Sequence, residues 1–525
     1  MTDSIFRRLP VGIQSFKVIR EENYLYVDKS DIVWNMVNLG DKYNYLSRPR
    51  RFGKSVLVDT LESYLEGRKD LFEGLKIMQL EKDWKQYPVI RLDMSRGGAN
   101  EDTLRSYLNL RFKDYEEKYN ITPDPTAMLA DRFHAIIATA YKQTGLRVAV
   151  LIDEYDSPLQ HSWRTPEHEK CTGVYREVFA ILKADDEYEH FIFITGITKF
   201  TQISLFSVLN NLSNISFMPE YAAICGITEE EIKENFMPEL KQMSEANNWS
   251  VQETHDRLKA YYDGYHFSDG NMVDIYNPYS LVNALKQRKI KNYWASSGAT
   301  SLLPKFIDNA ELRLSKFENC SVMRNTLELS DVSGGGAELF LYQSGYLTIK
   351  ESDEFGYILG FPNEEVKQAL YETVLPALAM RSENEIQSLQ ACLYRELGTG
   401  QIDEAMNSLK ALIADVPYSN KKLASMDMEE RYRLIISTIL NAIGLNVEVE
   451  KMISTGRIDM TVKTSRYIYV IELKLRNNGG KEAATEQILN RQYMEPFKTD
   501  KRKVIGLGIE LDENGKGLLD WKRAE

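Results

Sequence analysis

The sequence predicts a multidomain α/β protein, with a parallel sheet in its N-terminal part and a second α/β unit towards its C-terminal end. Three observations lead to this fold class. Short apolar runs alternate with helical segments before residue 200, helical patterns dominate after Thr228, and the order helix, hairpin, helix, strand follows from about Glu429. A chain of 525 residues is also longer than one ordinary domain of roughly 100–200 residues.

Four apolar runs before residue 200 have the length and composition of buried strands. They are residues 43–47, 87–95, 146–154 and 190–196. Between them lie segments with helical spacing, such as the one in which Leu129, Phe133 and Ile136 recur at steps of three and four residues, as on a helix with one buried face. Strands that alternate with helices predict a parallel sheet covered on both sides.

Changes of pattern predict four parts. The stretch "TEEEIKENF" begins at Thr228 with a capping box and acidic residues in its first turn, which starts a helical region. Beyond it, a glycine loop, two β-rich runs and a helix are typical of a small winged-helix-like unit. We therefore predict a sheet domain over residues 1–227, a helical lid over 228–300, a winged-helix-like and helical middle region over 301–415, and a C-terminal α/β domain over 416–525.

Composition limits the protein's location and partners. No run approaches the roughly 20 apolar residues that span a bilayer, and the first residues lack the apolar core of a signal peptide, so we expect a cytoplasmic protein without a membrane partner. The four cysteines form no C-x-x-C pair, which argues against a zinc knuckle or a disulfide framework. The net charge is −12, yet residues 420–525 carry 19 Lys and Arg against 16 Asp and Glu, which favours this part as the nucleic-acid face.

A loop typical of phosphate binding follows the first predicted strand. The stretch "RPRRFGKS" ends in Gly53, Lys54 and Ser55, the order in which such a loop supplies a tight turn, a charge and a hydroxyl for Mg²⁺. Arg48 stands where the usual G-x-x-x-x-G-K-[ST] pattern has its first glycine. Because a strand precedes the loop and an amphipathic helix follows it, the context still predicts a P-loop NTPase sheet that binds ATP and Mg²⁺.

Acidic and polar residues at later strand ends would complete the nucleotide site. The run "VAVLIDEYD" ends in Asp153, which would hold the Mg²⁺, and Glu154, which would orient a water molecule. Thr195, Thr198 and Lys199 follow the next strand and suit a sensor of the γ-phosphate. Taken singly, "FGKS" occurs by chance and an acidic pair often marks a solvated loop, whereas their order in one strand–helix series favours nucleotide binding.

The arginines of the loop have three interpretations, which the sequence leaves open. Arg48, Arg50 and Arg51 could contact phosphate, serve as arginine fingers between the subunits of a homo-oligomer, or form salt bridges with acidic residues of the same domain.

A second cluster of charged residues lies on a predicted β-hairpin at residues 456–475. Asp459 on its first strand falls near Glu472 and Lys474 on its second, because side chains alternate along a strand. Two carboxylates can hold Mg²⁺, and a neighbouring lysine can position a water molecule, which is the chemistry of phosphodiester cleavage. A surface hairpin with a Glu–Lys pair is the competing interpretation.

The segments that flank the hairpin favour the catalytic interpretation. The stretch "MEERYRLIISTILNAIGLNVEVEK" is predicted to be a helix with Glu429 at its start, and "EAATEQILNRQYMEPF" a second helix that carries Gln487. Helix, hairpin, helix and strand in this order is the core of a restriction-endonuclease-like fold. We therefore expect DNA as the partner of the C-terminal domain.

These motifs together resemble, nearly end to end, the bacterial AAA-ATPase-like proteins that are fused to a C-terminal PD-(D/E)XK nuclease-superfamily domain. The matching pieces are "LPVGIQSF", "YLYVDKSDIV", "SRPRRFGKS", "LIDEYDSPL", "FITGITKF", "YYDGYHF", "YNPYSLVNAL", "LYQSGYLTI", "GFPNEEV", "GRIDM", "VIELKL" and the stretch from Gln487 to Tyr493. The resemblance implies that R-P-R-R-F-G-K-[ST] is the family's own form of the phosphate loop. One departure is Ile458, which stands where the superfamily's name has proline.

The resemblance assigns roles to the residues that match its motifs. The predicted cofactor-binding residues are Arg51, Phe52, Gly53, Lys54, Ser55, Asp153 and Thr195, and the predicted metal ligands are Ser55, Asp153, Asp459 and Glu472. The predicted catalytic residues are Asp459, Glu472, Lys474 and Glu154, with Glu429 and Gln487 in accessory positions.

Three functions are then compatible with the sequence. The first is an ATP-regulated, Mg²⁺-dependent DNA endonuclease of a mobile element or a defence system. The second is a nucleotide-dependent switch whose nuclease-like domain binds DNA or a partner without cutting. The third is a structural scaffold, which is disfavoured because both sets of acidic residues would lack a cation to balance them.

Overall fold

The computed structural model describes residues 8–124, 126–199, 211–295, 303, 317–328, 336–379, 383–414 and 427–524. The chain divides into two compact units, one made of Met1–Trp294 with Cys320–Asn363 and the other of Ala295–Asn319 with Glu364–Glu525. The predicted glycine loop before residue 336 and the predicted boundaries at 300 and 415 lie outside the described residues.

A five-stranded parallel sheet forms the centre of the first unit, in the order β2-β3-β4-β1-β5. Its strands are β1 (Tyr43–Ser47), β2 (Val89–Asp93), β3 (Val148–Asp153), β4 (Glu189–Gly196) and β5 (Ser213–Asn214). Every residue of β3 is buried, as expected for a strand with both faces covered. The first four strands confirm the predicted apolar runs, and the parallel sheet confirms the predicted fold class.

Helices surround this sheet. They are α1 (Phe16–Glu21), α2 (Ser30–Asn38), α3 (Lys54–Leu65), α4 (Ile77–Leu80), α5 (Glu101–Lys118), α6 (Leu129–Thr144), α7 (Ser157–Ser162), α8 (Glu167–Phe179) and α9 (Ile181–Ala184). Helix α6 buries the predicted apolar face, which includes Leu129, Phe133 and Ile136, and it ends at Gly145 with a φ of 70°, a left-handed conformation that glycine adopts readily.

The region after residue 226 is mainly helical, as predicted. Its elements are β6 (Ile227–Thr228), α10 (Glu229–Asn235), α11 (Met237–Asn247), α12 (Val251–Tyr262), β7 (Ile275–Tyr276) and α13 (Pro278–Gln287). The predicted capping box is present, because the Thr228 side chain accepts from the Glu231 backbone while the Glu231 side chain accepts from the Thr228 backbone. These helices share an apolar core around Phe236, Leu258 and Leu281.

A small antiparallel sheet, in the order β8-β10-β9, completes the first unit. Its elements are β8 (Cys320–Val322), α14 (Arg324–Glu328), α15 (Gly336–Ser344), β9 (Thr348–Ser352) and β10 (Tyr357–Gly360). The two predicted β-rich runs are β9 and β10. The predicted division of the chain into four parts stays a prediction.

The second unit contains a mixed sheet in the order β11-β12-β13-β14-β15. Its elements are α16 (Glu364–Ala379), α17 (Glu383–Thr399), α18 (Ile402–Ala414), α19 (Met428–Ala442), β11 (Asn446–Ile453), β12 (Gly456–Lys463), β13 (Tyr467–Leu475), α20 (Gly480–Asn490), β14 (Lys503–Leu511) and β15 (Leu518–Ala524). Strands β13 and β14 are parallel and connected through α20, and the other neighbouring pairs are antiparallel. The predicted hairpin is the pair β12 and β13.

One prediction of secondary structure in this unit is wrong. The stretch that begins at Met428 was expected to be helical as far as Lys451, but α19 ends at Ala442 and β11 begins at Asn446. The reason is Gly444, whose φ of 78° turns the chain out of the helix.

None of the helices in the described part of the chain combines the length and the apolar character that a membrane crossing requires.

Candidate functional site

The phosphate loop of the first unit has the backbone of an anion site. Gly53 lies at the N-cap of α3 with a φ of 89°, and no side chain caps the first turn of the helix. A Cβ atom at Gly53 would meet no other atom within 4 Å, so the glycine is required for its backbone conformation and the space beside it is open. The first-turn N–H groups of such a helix are unsatisfied donors that bind anions.

The Lys54 ammonium lies inside the loop. Its Nζ donates to the carbonyl oxygens of Arg48 at 2.9 Å and Pro49 at 3.0 Å. Burial lowers the pKa of Lys54, and the charges of Glu154 and Asp153 oppose this shift. The lysine is therefore held by the loop itself, next to two carboxylates that favour its charged form.

The structure brings Ser55, Asp153 and Glu154 together with Lys54, and their roles in binding nucleotide and Mg²⁺ stay predictions. Burial raises the pKa of Asp153, while a hydrogen bond with the Ser55 side chain and the charge of Lys54 act in the opposite direction. Burial likewise raises the pKa of Glu154, against the effect of Lys54. A serine hydroxyl hydrogen-bonded to a buried aspartate is the donor set that a P-loop offers to Mg²⁺.

Asp93 is a further carboxylate at this edge of the sheet, and the sequence interpretation missed it. It ends β2 and pairs in register with Asp153 at the end of β3, and its charge contributes to the raised pKa of Asp153. The available signal was that each apolar run has an aspartate close to its C-terminal end, because parallel neighbours end at the same edge of a sheet.

The residues proposed as a γ-phosphate sensor use their polar groups within the protein. The Thr195 hydroxyl is buried and donates to the Leu46 carbonyl at 3.0 Å. The Thr198 hydroxyl donates to Asp156 at 2.6 Å, and the Lys199 ammonium donates to the Glu328 carbonyl at 2.8 Å. The sensor role of Thr195 stays a prediction.

Two residues of the loop, Arg51 and Phe52, contact the helical region. The guanidinium of Arg51 lies 4.9 Å from the ring centre of Tyr279. Phe52 is buried, with its ring centre 4.7 Å from that of Tyr265 and 5.3 Å from that of Phe267. The side chain of Phe52 is thus a packing group, and its backbone is the part that can serve a phosphate.

The second unit has a cluster of charged residues where β12 and β13 part. The regular backbone pairing of these strands runs as far as Met460 opposite Ile471. Beyond that pair, the Leu473 N–H donates to Asp459 Oδ2 at 3.0 Å and the Asp459 N–H donates to Glu472 Oε2 at 3.4 Å. The two carboxylates therefore replace carbonyl groups as acceptors, and this brings them close to each other inside the sheet.

The other predicted residues of this unit surround Glu472. Lys474 Nζ lies 3.4 Å from Glu472 Oε1 and 3.8 Å from Glu429 Oε1, and the Gln487 side-chain amide donates to the same Glu472 oxygen. The structure thus gathers Asp459, Glu472, Lys474, Glu429 and Gln487 from two strands and two helices, and their catalytic roles stay predictions.

The buried carboxylates of this cluster repel each other. Glu472 is 1% exposed, and burial, followed by the charge of Asp459, raises its pKa well above its usual range. Burial also raises the pKa of Glu429, which Lys474 opposes and Asp459 reinforces. Such a cluster favours a cation.

Arg433 is a member of the cluster that the sequence interpretation missed. It lies on α19, one turn after Glu429, with its Nε 3.8 Å from Asp459 Oδ1 and its Nη1 bonded to Glu450. The available signal was the spacing of four residues between Glu429 and Arg433, which places both on one face of a helix.

The side chains of the phosphate-loop site and of the Asp459–Glu472 cluster suit Mg²⁺ in their chemistry and in their number. Within the described ranges, no group of three or more His, Cys, Asp and Glu side chains could hold a metal ion. Mg²⁺ is commonly bound by one or two carboxylates while water and phosphate oxygens complete its shell. The residues that would hold it are Ser55 with Asp153 in the first unit and Asp459 with Glu472 in the second.

Comparisons with known proteins match one family to the N-terminal part of the chain and another to its C-terminal part. Residues 10–206 match the family described as predicted AAA-ATPase, and residues 427–521 match the PD-(D/E)XK nuclease superfamily. A relative from Azotobacter chroococcum mcd 1, described as an uncharacterized protein in the vnfD 5' region, is 31% identical over 534 residues, with 98% of each chain covered.

The chain belongs to this family of predicted AAA-ATPases with a C-terminal PD-(D/E)XK nuclease domain. The AAA-ATPase-like domain contains the phosphate loop and the strand that ends in Asp153. The nuclease-superfamily domain contains the cluster around Asp459 and Glu472. Each set of predicted residues therefore lies inside the domain whose chemistry would use it.

Proposed function

We propose that this protein is an ATP-regulated, Mg²⁺-dependent DNA endonuclease that acts in a mobile element or a defence system. The observation that carries the proposal is the pair of carboxylates, Asp459 and Glu472, buried side by side where two strands part, with the Lys474 ammonium 3.4 Å from Glu472. A fold gains no stability from two adjacent buried carboxylates, so their arrangement is better explained by a bound cation.

In the nuclease domain, Asp459 and Glu472 would hold the Mg²⁺. The metal would supply a water molecule of lowered pKa and neutralise charge on the scissile phosphate. Lys474 orients the attacking water and stabilises the charge that develops on the phosphate. The Gln487 amide fixes the Glu472 carboxylate by donating to Oε1, and the Glu429 carboxylate lies 3.8 Å from the Lys474 ammonium.

In the AAA-ATPase-like domain, the backbone of Arg51 to Ser55 binds phosphate, and Lys54 moves from the Arg48 and Pro49 carbonyls to the nucleotide. Ser55 and Asp153 would hold Mg²⁺, which would neutralise charge on the phosphate oxygens. Glu154 accepts a proton from the water that attacks the γ-phosphate. Binding or hydrolysis of ATP then licenses the nuclease domain to cut, in a monomer or a homo-oligomer.

A plasmid-cleavage assay tests the proposal. Supercoiled DNA is incubated with the full-length protein and Mg²⁺ or Mn²⁺, with and without ATP, and the variants are Asp459→Asn and Lys54→Ala. The matched control is Glu486→Gln, which changes an exposed carboxylate next to Gln487. We expect the wild type and the control to cut, Asp459→Asn to be inactive, and Lys54→Ala to lose the effect of ATP. A wild type that never cuts, or equal cutting by Asp459→Asn, would contradict the endonuclease function.

One observation favours a second function, a nucleotide-dependent switch that binds DNA or a partner without cutting. Lys474 and Gln487 both hydrogen-bond to Glu472, so the cluster can balance its charge without a metal. In that case the wild type binds DNA in a gel-shift assay under the control of ATP, the DNA stays intact at every metal concentration, and Asp459→Asn binds as the wild type does.

A further inference from the structure

The three arginines of the phosphate loop have different surroundings. Arg48 is buried, and its guanidinium donates to the carbonyls of Ser216 and Tyr221, each at 2.9 Å. Arg51 is exposed and lies over the Tyr279 ring. Arg48 therefore holds the loop in the fold and Arg51 lies on the side that faces Tyr279, whereas the acidic residues follow the end of β3.

Arg50 lies on that acidic side. Its Nη2 donates to Gln160 Oε1 at 3.4 Å. Gln160 belongs to α7 and donates to Asp156, two residues after Glu154, so the Arg50 guanidinium lies near the segment that carries the residue that would orient the attacking water. Arg50 also follows directly after Pro49, one of the two residues whose carbonyls hold the Lys54 ammonium.

Gln160 is fixed in one orientation. It is buried, and its Nε2 donates to Asp156 Oδ2 at 2.5 Å and to Thr198 Oγ1 at 3.0 Å. Asp156 in turn accepts from the backbone N–H groups of Ile197 and Thr198. Because the amide nitrogen is used in this network, the amide oxygen of Gln160 is directed to Arg50. The network thus ties the position of Arg50 to the chain that follows β4.

We propose that Arg50 binds the γ-phosphate of ATP and that Gln160 is its positioning residue. This inference rests on the proposed nucleotide-binding function and deepens it. A guanidinium forms shorter and stronger hydrogen bonds with a phosphate oxygen than with a neutral amide oxygen, so a γ-phosphate is a stronger partner for Arg50 than the Gln160 amide is. The arginine distinguishes ATP from ADP, because ADP has no phosphate at this position.

Equilibrium binding measures this discrimination without any turnover. Isothermal titration calorimetry with the full-length protein and Mg²⁺ gives the Kd of ADP and of the non-hydrolysable β,γ-imido analogue of ATP. The variants are Arg50→Ala and Gln160→Met, and the matched control is Arg176→Ala, an exposed arginine of α8 in the same domain. The melting temperature of each variant without nucleotide checks its folding. If Arg50→Ala does not fold, Arg50→Gln takes its place with the same expectation.

We expect Arg50→Ala to bind the ATP analogue about 10- to 100-fold more weakly, the loss that follows from one charged hydrogen-bond partner, with ADP binding unchanged. Gln160→Met shows a smaller loss for the ATP analogue and none for ADP, whereas a purely structural role would weaken both ligands equally. Arg176→Ala keeps the wild-type ratio of the two Kd values.

Two results overturn the inference and differ from each other. If the wild type binds both nucleotides and Arg50→Ala changes both Kd values equally or neither, the role of Arg50 is wrong while nucleotide binding stands. If the wild type binds neither nucleotide, the proposed function of the domain fails, and the inference fails with it.

Discussion

The two sheets of this protein hold their buried carboxylates in different ways. In the first sheet, Asp153 stands at the end of a parallel strand, and its neighbouring cation, Lys54, is carried by a loop whose carbonyls bind it. In the second, Asp459 and Glu472 lie between two strands, where Asp459 accepts from the Leu473 N–H and Glu472 accepts from the Asp459 N–H.

The difference shows which part of each site is built by backbone and which by side chains. The nucleotide site depends on a helix N-terminus and the left-handed conformation of Gly53, so backbone geometry supplies the donors and Lys54 can change partners. The nuclease site depends on carboxylates that the sheet itself holds in place. We therefore expect the first site to respond to a ligand by moving and the second to respond by gaining a cation.

The largest expected effect is a loss of DNA cleavage on substitution in the nuclease domain, where side chains form the site. Asp459→Asn keeps an oxygen that can accept from the Leu473 N–H, so the sheet is preserved, but the carboxylate is lost. Cleavage should fall by more than the roughly 10- to 100-fold that loss of an outer-shell metal partner costs, measured as the rate of plasmid nicking. Unchanged nicking by Asp459→Asn would contradict the claim that the nuclease site depends on its carboxylate side chains.

Lys54→Ala has the next largest effect and acts on the first sheet. Nucleotide binding should weaken about 10- to 150-fold, as expected for the loss of a charged hydrogen-bond partner, and nicking without ATP should be unchanged. Fluorescence titration with a labelled ATP measures the affinity. Lys69→Ala, an exposed lysine after α3, is the matched control and should bind as the wild type does.

A comparison of two glycines tests whether the phosphate loop is built by its backbone. Gly53→Ala should destabilise the protein by about 1–2 kcal/mol, because an L residue is strained at this φ although a Cβ atom meets nothing nearby. Gly173→Ala, inside α8 and also free of contacts, should stabilise the protein by about 0.5–1 kcal/mol. Urea unfolding measures the free energy of unfolding of both variants. Changes of the same sign would contradict the claim that the phosphate loop requires the left-handed backbone of Gly53.

The smallest effect concerns a buried carboxyl with a structural role, Glu189 at the start of β4. Burial raises its pKa to about 8, so the folded protein binds a proton there at pH values at which the unfolded chain does not. The free energy of unfolding should therefore fall as pH rises from about 4.5 to about 8. Glu189→Gln should remove this contribution to the pH dependence, so the variant gains stability relative to the wild type as the pH rises towards 8.

The matched control for this substitution is Glu187→Gln, which changes an exposed neighbour and should leave the slope in place. Unfolding by urea at several pH values gives the comparison. Mg²⁺ should not alter the effect of Glu189→Gln, whereas a change with Mg²⁺ would place a metal near Glu189 and not only at the two predicted positions.

The sequence was most informative where structure depends on local pattern. The four apolar runs predicted β1 to β4 because strands buried on both faces are continuously apolar, and the hairpin at 456–475 followed from alternation and a short turn. The strand β11 was missed because the helical pattern of α19 was continued past Gly444, whose left-handed φ ends it.

The sequence predicted the site residues that belong to one contiguous motif. It did not predict residues that reach a site from a separate strand or helix. Lys54, Ser55, Asp459, Glu472 and Lys474 each belong to a short motif and were found. The two missed residues were Asp93, which reaches the nucleotide site through the register of β2 with β3, and Arg433, which reaches Asp459 from a helix. Such pairings join residues that are distant along the chain, and one sequence carries little signal for them.

Binding of Mn²⁺ to the protein without nucleotide tests the central claim most directly, because it asks whether the buried carboxylates hold a cation. Electron paramagnetic resonance of free Mn²⁺ gives the bound fraction for the wild type, Asp459→Asn and Lys54→Ala. We expect the wild type and Lys54→Ala to bind Mn²⁺ alike and Asp459→Asn to lose that binding. Equal binding of Mn²⁺ by the wild type and Asp459→Asn would contradict the claim that Asp459 and Glu472 form a metal site.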